Sequence, residues 1–341
     1  MTPTWSSCHI SQDNCFTFLR YLFAFCIFCN HFCFTTGQER FLCNGIVFVN
    51  GFFIISGFLT FNSYVRNPDV RTFAVKRLWR ILPAYMIAVV FCFLVGLSLT
   101  TLPVGRFLTH PETWRYLFFN LLFLNHFQPT LPGVFEDNAM PFLNSSLWTM
   151  KVEIAFYVSV PVVYFLMRRF GKNTTLVAIV TISMIYYIAT DMLYKHTGNA
   201  VYDTLNHQIP GELAFFYFPV IMLMNRNWFS RNVKWLFPVS CALFLLSYTV
   251  YEMYYLSPLT LSVLVIVFAY KAEPYIKSFR WKDITYEFYL LRFPVLQIGA
   301  CIGFSGSSVW FVGALSFIVL MAAGLHHLCR QLSRCVRQCK V

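Results

Sequence analysis

Charge is what this sequence has least of. Only 12% of its 341 residues are charged, whereas a soluble domain carries about a quarter. That shortage excludes a water-soluble fold, because 58% of the chain is hydrophobic and 19% aromatic. The N-terminus lacks a basic region followed by a short apolar segment and a small-residue cleavage site. No cleavable signal peptide is therefore expected, and the first apolar segment stays as a helix. The apolar runs do not alternate polar with apolar residues, which excludes a closed β-barrel. Internal repeats, low-complexity stretches and polar segments longer than a loop are all lacking. One membrane domain over 1–341 is expected, ending in a short basic cytoplasmic tail at 329–341. No metal site is expected.

What is present is a series of apolar segments near 16–36, 43–65, 81–101, 114–127, 146–167, 174–194, 207–225, 235–251, 255–270, 284–303 and 308–328. Several match the roughly 20 residues that span the hydrocarbon core as helix. The segment at 114–127 is too short and lies between proline-rich loops, so it reads as a partial or re-entrant helix. The expected fold is an all-α polytopic bundle of about ten transmembrane helices plus that short one.

Net charge is +12. Basic residues bunched in short loops are what the positive-inside rule produces, so they point to a membrane and not to nucleic acid. Nineteen of them fall in loops assigned inside: Arg66, Arg71, Lys76, Arg77, Arg80, Arg168, Arg169, Lys172, Arg226, Arg231, Lys234, Lys271, Lys277, Arg280, Lys282, Arg330, Arg334, Arg337 and Lys340. Only four, Arg40, Arg106, Arg115 and Lys195, fall outside. The bias implies that both termini are cytoplasmic.

The 12 cysteines lie mostly in apolar segments and read as small buried hydrophobes. Cys26 and Cys29 have redox-motif spacing but sit inside a membrane helix. Cys329, Cys335 and Cys339 belong to the basic tail.

Three basic residues, Arg20, Lys151 and Arg292, fall within or at the edge of apolar segments, where charge is costly and usually marks function. Arg20 and His31 are eleven residues apart in the first helix. At 100° per residue they return to within about 20° of one face, about 16 Å apart along the axis. A guanidinium near the cytoplasmic rim suits an anionic ligand, and an imidazole deeper toward the outside suits proton transfer. The alternative is that Arg20 snorkels to headgroups and His31 bonds a neighbouring helix.

Arg77 and Arg80 stand one turn apart at the mouth of the third helix, placed either to chelate phosphate or to anchor topology. Ser56-Gly57, set in a bulky aromatic run, permits either close helix approach or backbone access for a thin ligand chain. Glu153 lies about two turns into the fifth crossing and would be protonated, paired with Lys151 or another cation, or held for catalysis. Before it, the loop from Leu131 to Asn144 mixes Glu136, Asn138 and aromatics. Sugar-binding surfaces often look like this, and so do ordinary turn-rich loops.

Taken in order, Arg20-x10-His31, Phe-Phe-x-Ile-Ser56-Gly57-Phe-Leu, Lys76-Arg77-x-x-Arg80-Ile-x-Pro83 and Ser146-Leu-Trp148-Thr149-x-x-x-Glu153 resemble the signature of the acyltransferase-3 family of membrane O-acyltransferases. The likeness continues through Tyr286-Glu-Phe-Tyr289-Leu-x-Arg292-Phe-Pro294. It implies acyl transfer from cytoplasmic acyl-CoA, usually acetyl-CoA, to a hydroxyl of an envelope glycan or lipid-linked sugar at a bacterial inner membrane. Acetyl-CoA would be a co-substrate, with no tightly bound cofactor. The resemblance makes His31 the base, with Glu153 orienting it or the sugar, and assigns Arg20, Arg77, Arg80, Ser56 and Gly57 to the donor. Trp148, Lys151, Glu136, Asn138 and Arg292 are assigned to the acceptor. Two departures stand out. Many relatives have histidine where Arg292 stands, and Thr17 replaces an aspartate often found three residues before the arginine, leaving Asp13 as the nearest acid. The rival readings are a transporter or flippase for a polar substrate, and an inactive relative that binds lipid-linked sugar.

Overall fold

The computed structural model of the protein describes residues 15–38, 45–276, 282–304 and 306–338. Asp13, Arg40, Lys277, Arg280, Cys339 and Lys340 lie outside the described residues. Among the described residues the chain forms helices and no strands. Continuous apolar runs demand this, because only a helix satisfies every backbone N–H and C=O within one segment when water is absent.

In chain order the helices are α1 (Cys15–Thr35), α2 (Ile46–Arg66), α3 (Val70–Leu99), α4 (Val104–Thr109), α5 (Pro111–Leu121), α6 (Trp148–Phe170) and α7 (Lys172–Thr197). There follow α8 (Ala200–Asn206), α9 (Ile209–Met224), α10 (Arg226–Thr249), α11 (Ser257–Ile276), α12 (Thr285–Cys301) and α13 (Ser308–Gln338). Seven stretches, in α1, α2, α3, α6, α7, α11 and α13, are long and apolar enough to cross a membrane. Of the other segments expected to cross, α9 and α12 have 16 and 17 residues, and α10 carries Arg226, Arg231 and Lys234 in its first half. The short segment is α5, with 11 residues. On α6, Val158, Val162 and Phe165 form an exposed apolar stripe at helical spacing. In a membrane protein such a stripe faces lipid.

The basic run Arg71–Arg80, expected as a loop, is instead the first part of α3. Asp69 starts this helix early, accepting from the Thr72 backbone N–H at 2.7 Å through its carboxylate. Hydrogen bonds from the Thr72 side chain and then from its backbone N–H hold the Asp69 carboxyl below its usual pKa. Residues 329–338 of the expected tail likewise continue α13 as helix.

The helices group into two compact units. The first takes in the described residues up to Phe23, Ile46–Phe73 and the described part of Val152–Trp281. Within it α9 packs on α2, α7 and α11. Gly57 is the closest point, since a Cβ added there would lie 2.0 Å from the Phe216 carbonyl oxygen of α9. Phe156 stacks on Phe216 at 4.4 Å and meets Phe53 edge-on at 5.2 Å.

The second unit takes in the described residues of Ala24–Gly45, Ala74–Lys151 and Lys282–Val341. Here α12 packs on α13 and on the turn at Ser145–Leu147. Phe28 and Phe32 of α1 both meet Phe311 of α13 edge-on, at 5.2 and 5.0 Å. The candidate catalytic imidazole lies in this unit.

Candidate active site

The site begins with Asn144, a buried amide that makes hydrogen bonds on both sides. Its oxygen accepts from the Ser146 backbone N–H at 3.0 Å and caps the turn that leads into α6. Its Nδ2 donates to the Leu290 carbonyl of α12 at 2.8 Å. The start of α6 is thereby fastened to the middle of α12, and Ser146 and Thr149 are turned toward that helix. Thr149 donates to the Ser146 carbonyl at 3.0 Å, and its hydroxyl lies 3.0 Å from that of Tyr289.

Arg292 follows Tyr289 by three residues, so the two share a face of α12. Its guanidinium lies over the Tyr289 ring at 4.1 Å. Nη2 donates to the Ser146 hydroxyl at 3.3 Å. The residue is only 1% exposed. Its Nε and Nη1 are buried and have no hydrogen-bond partner.

His31 meets the next residue of α12, Phe293, edge to face at 5.1 Å. Its Nδ1 is also buried without a hydrogen-bond partner. His31 and Arg292 are near enough to interact electrostatically. The second unit therefore holds a half-buried base and a buried cation, each with buried nitrogens not engaged by the protein. A buried polar group left so costs about 1–3 kcal/mol, and a charge costs more. Such an arrangement suits a ligand that supplies the missing partners.

Other expected residues have defined neighbours. Arg80 pairs loosely with Asp283 at 3.8 Å, both side chains being partly exposed. Arg77 is half-buried on the same face of α3. Trp148 and Lys151 are half-buried in the first turn of α6. Glu136 closes its own loop, accepting from the Gly133 N–H at 2.9 Å, and Asn138 donates to the Gln297 carbonyl and side chain at 3.1 and 3.2 Å. Gln297 in turn donates to the Met140 and Phe142 carbonyls at 2.6 and 2.8 Å. The loop before α6 is thus sewn to α12, and much of its polarity goes to that purpose.

Arg20, Ser56, Gly57 and Glu153 belong to the first unit. Arg20 is half-buried one and a half turns into α1. Glu153 accepts from the Tyr157 hydroxyl one turn on at 2.5 Å, so its partner is Tyr157 and not Lys151. At Gly57 the close helix approach is realised. The backbone of α9 occupies its open side, which corrects the expectation that Gly57 offers backbone to a ligand chain.

Ser146, Thr149, Tyr289 and Phe293 were not expected to join the site. All four stand in the motifs that carry the family resemblance, which assigned them no role; the signal for a role is the three-residue step from Tyr289 to Arg292, which places an aromatic face under a guanidinium. A further polar contact, His326 Nδ1 to Glu287 Oε1 at 2.9 Å, ties α13 to α12. It too is invisible in a linear reading.

The acyltransferase-domain model of the acyltransferase-3 family matches residues 13–327. The chain belongs to that family. Every residue of the Arg292 cluster lies within the matched span, as do His31 and the basic face of α3. This acyltransferase-3 chain is 31% identical over 140 residues to Nodulation protein 10 of Rhizobium leguminosarum bv. viciae. The match covers 38% of this chain and 36% of that protein, so it spans about a third of the relative's length. No solved structure matches it. Membership assigns residues 13–327 to an acyltransferase domain, and seven stretches among the described residues are long and apolar enough to cross a membrane.

Proposed function

We propose that the protein is a membrane acyltransferase that moves an acyl group, an acetyl group in the simplest case, from cytoplasmic acyl-CoA to a hydroxyl of an envelope sugar or polysaccharide. The observation that carries this reading is the half-buried His31 imidazole, its Nδ1 buried and uncommitted, packed against Phe293, the neighbour of the buried Arg292 in α12. An imidazole with a free ring nitrogen is suited to take a proton from an entering hydroxyl.

Arg77 and Arg80 stand one turn apart on α3 and carry the charge that CoA phosphates need. The exposed Arg80–Asp283 pair is worth at most about 1 kcal/mol and would yield to a phosphate. Trp148, Lys151 and Asn138 are assigned to the acceptor side. The excess of lysine and arginine in alternate connections supports a bacterial inner-membrane protein with both ends in the cytoplasm.

Two measurements test the reading. Mass spectrometry of envelope polysaccharide with and without the gene should differ by one acyl group per modified sugar. Purified His31→Ala should release CoA from acetyl-CoA at least about 100-fold more slowly than the parent, at unchanged thermal stability. Parent-level turnover by that variant would sink the assignment of His31.

A further inference from the structure

Arg292 is the largest side chain among those that are fully buried. Among the described residues no carboxylate pairs with it. Ser146 and the Tyr289 ring hold the guanidinium in place, at 3.3 and 4.1 Å, and leave Nε and Nη1 without partners. A cation kept indoors without a counter-ion is destabilising unless negative charge arrives. His31, which meets Phe293 beside Arg292 in α12 at 5.1 Å, also has a buried nitrogen without a partner. The charge that must arrive therefore belongs where the proton is transferred.

We propose that Arg292 is the oxyanion donor of the reaction, a role that rests on the acyl-transfer reading above. As His31 removes the proton from the acceptor hydroxyl, the acceptor oxygen bonds to the thioester carbonyl carbon. The C=O electron pair moves onto oxygen, and that oxygen accepts a hydrogen bond from Arg292 through Nε or Nη1. Collapse restores C=O and breaks the C–S bond. The CoA thiolate leaves with the proton from His31, and the ester product carries the acyl group. The guanidinium is already fixed and dehydrated, so little reorganisation accompanies the charge as it forms. Ser146 and Tyr289 are positioning residues in this scheme. A phosphate role is less well matched, because phosphates call for several converging donors such as the accessible Arg77 and Arg80.

The experiment compares three probes on the purified full-length chain: CoA, its acetonyl thioether bearing a neutral ketone, and its carboxymethyl thioether bearing a carboxylate at the same position. The parent should bind the carboxymethyl thioether at least about 10-fold more tightly than the acetonyl thioether, as charge stabilisation requires. Arg292→Gln should abolish that preference while leaving CoA affinity within about threefold, and Arg292→Lys should keep part of it. A parent with no preference overturns the proposal, as does a preference that survives in Arg292→Gln. Loss of CoA affinity equal to the loss for the carboxymethyl thioether would place Arg292 on the phosphates and overturn it as well. A parent that binds none of the three overturns the donor reading itself, a result distinct from the others. If Arg292→Gln does not fold, Arg292→Lys and the parent's own preference still decide the matter.

Discussion

Arg292 stands one helical turn beyond Tyr289, and its guanidinium lies 4.1 Å from the centre of that ring. The ring presents its negative face to the guanidinium, and the Tyr289 hydroxyl lies 3.0 Å from that of Thr149.

Tyr289→Leu removes the ring face and should cost about 2 kcal/mol, the scale of a desolvated cation–π contact. Tyr289→Phe keeps the face. It should cost no more than about 1 kcal/mol, since Thr149 retains its bond to the Ser146 carbonyl. Thermal unfolding of the two variants in one detergent checks the ranking, which reverses if the hydroxyl matters more than the ring.

Asn144→Ala breaks the link between the start of α6 and α12. It leaves the Leu290 carbonyl and the Ser146 N–H without the partners they now have at 2.8 and 3.0 Å. Two buried groups orphaned together should lower stability by about 2–4 kcal/mol. Asn138→Ala should cost less, because Gln297 keeps its bonds to Met140 and Phe142. Comparing folded yield and melting midpoint tests the order.

Gly57→Ala places a methyl group 2.0 Å from the Phe216 carbonyl oxygen, a backbone atom that no side-chain rotation can move aside. The helices α2 and α9 must separate, and about 1–3 kcal/mol should be lost. Gly313→Ala, where nothing lies within 4 Å, is the control and should be nearly neutral. Equal melting midpoints for the two variants would contradict the packing argument.

His207 lies between α8 and α9, with Nδ1 3.2 Å from Glu212 Oε1. Burial works against its charged form, but the hydrogen bond and charge of Glu212 outweigh burial and raise its pKa above 6.5. A raised folded value means that the contribution to stability is complete below the unfolded value of about 6.5 and is lost as pH rises through the folded one. The melting midpoint of the parent, less that of Glu212→Gln, should therefore shrink as pH rises above about 6.5. A difference that grows with pH would show that the pair does not act this way.

Much of the fold is legible along the chain, and the reason is chemical. Charge is scarce and apolar runs are long, so each run must be a helix whatever surrounds it. The ten segments expected to cross each become a helix, and 114–127 contributes the short α5. Boundaries are less legible where a capping contact decides them. Asp69 begins α3 before its apolar stretch, because a carboxylate can satisfy the free N–H groups of a first turn.

The candidate site divides along the same line. Arg20, His31, Glu153 and Arg292 announce themselves as polar residues in apolar surroundings, since each is costly there and needs a reason. Their partners do not announce themselves. Ser146 and Tyr289 are 143 residues apart (289 − 146) and ordinary in composition. The sequence by itself determined a helical membrane protein with a base and several cations inside it. Only the tertiary structure decided that α12 brings Arg292 to His31, that Asn144 locks α6 against α12, and that Gly57 serves helix packing. Those outcomes depend on which faces meet, and a face acquires its partner only when distant segments are packed together.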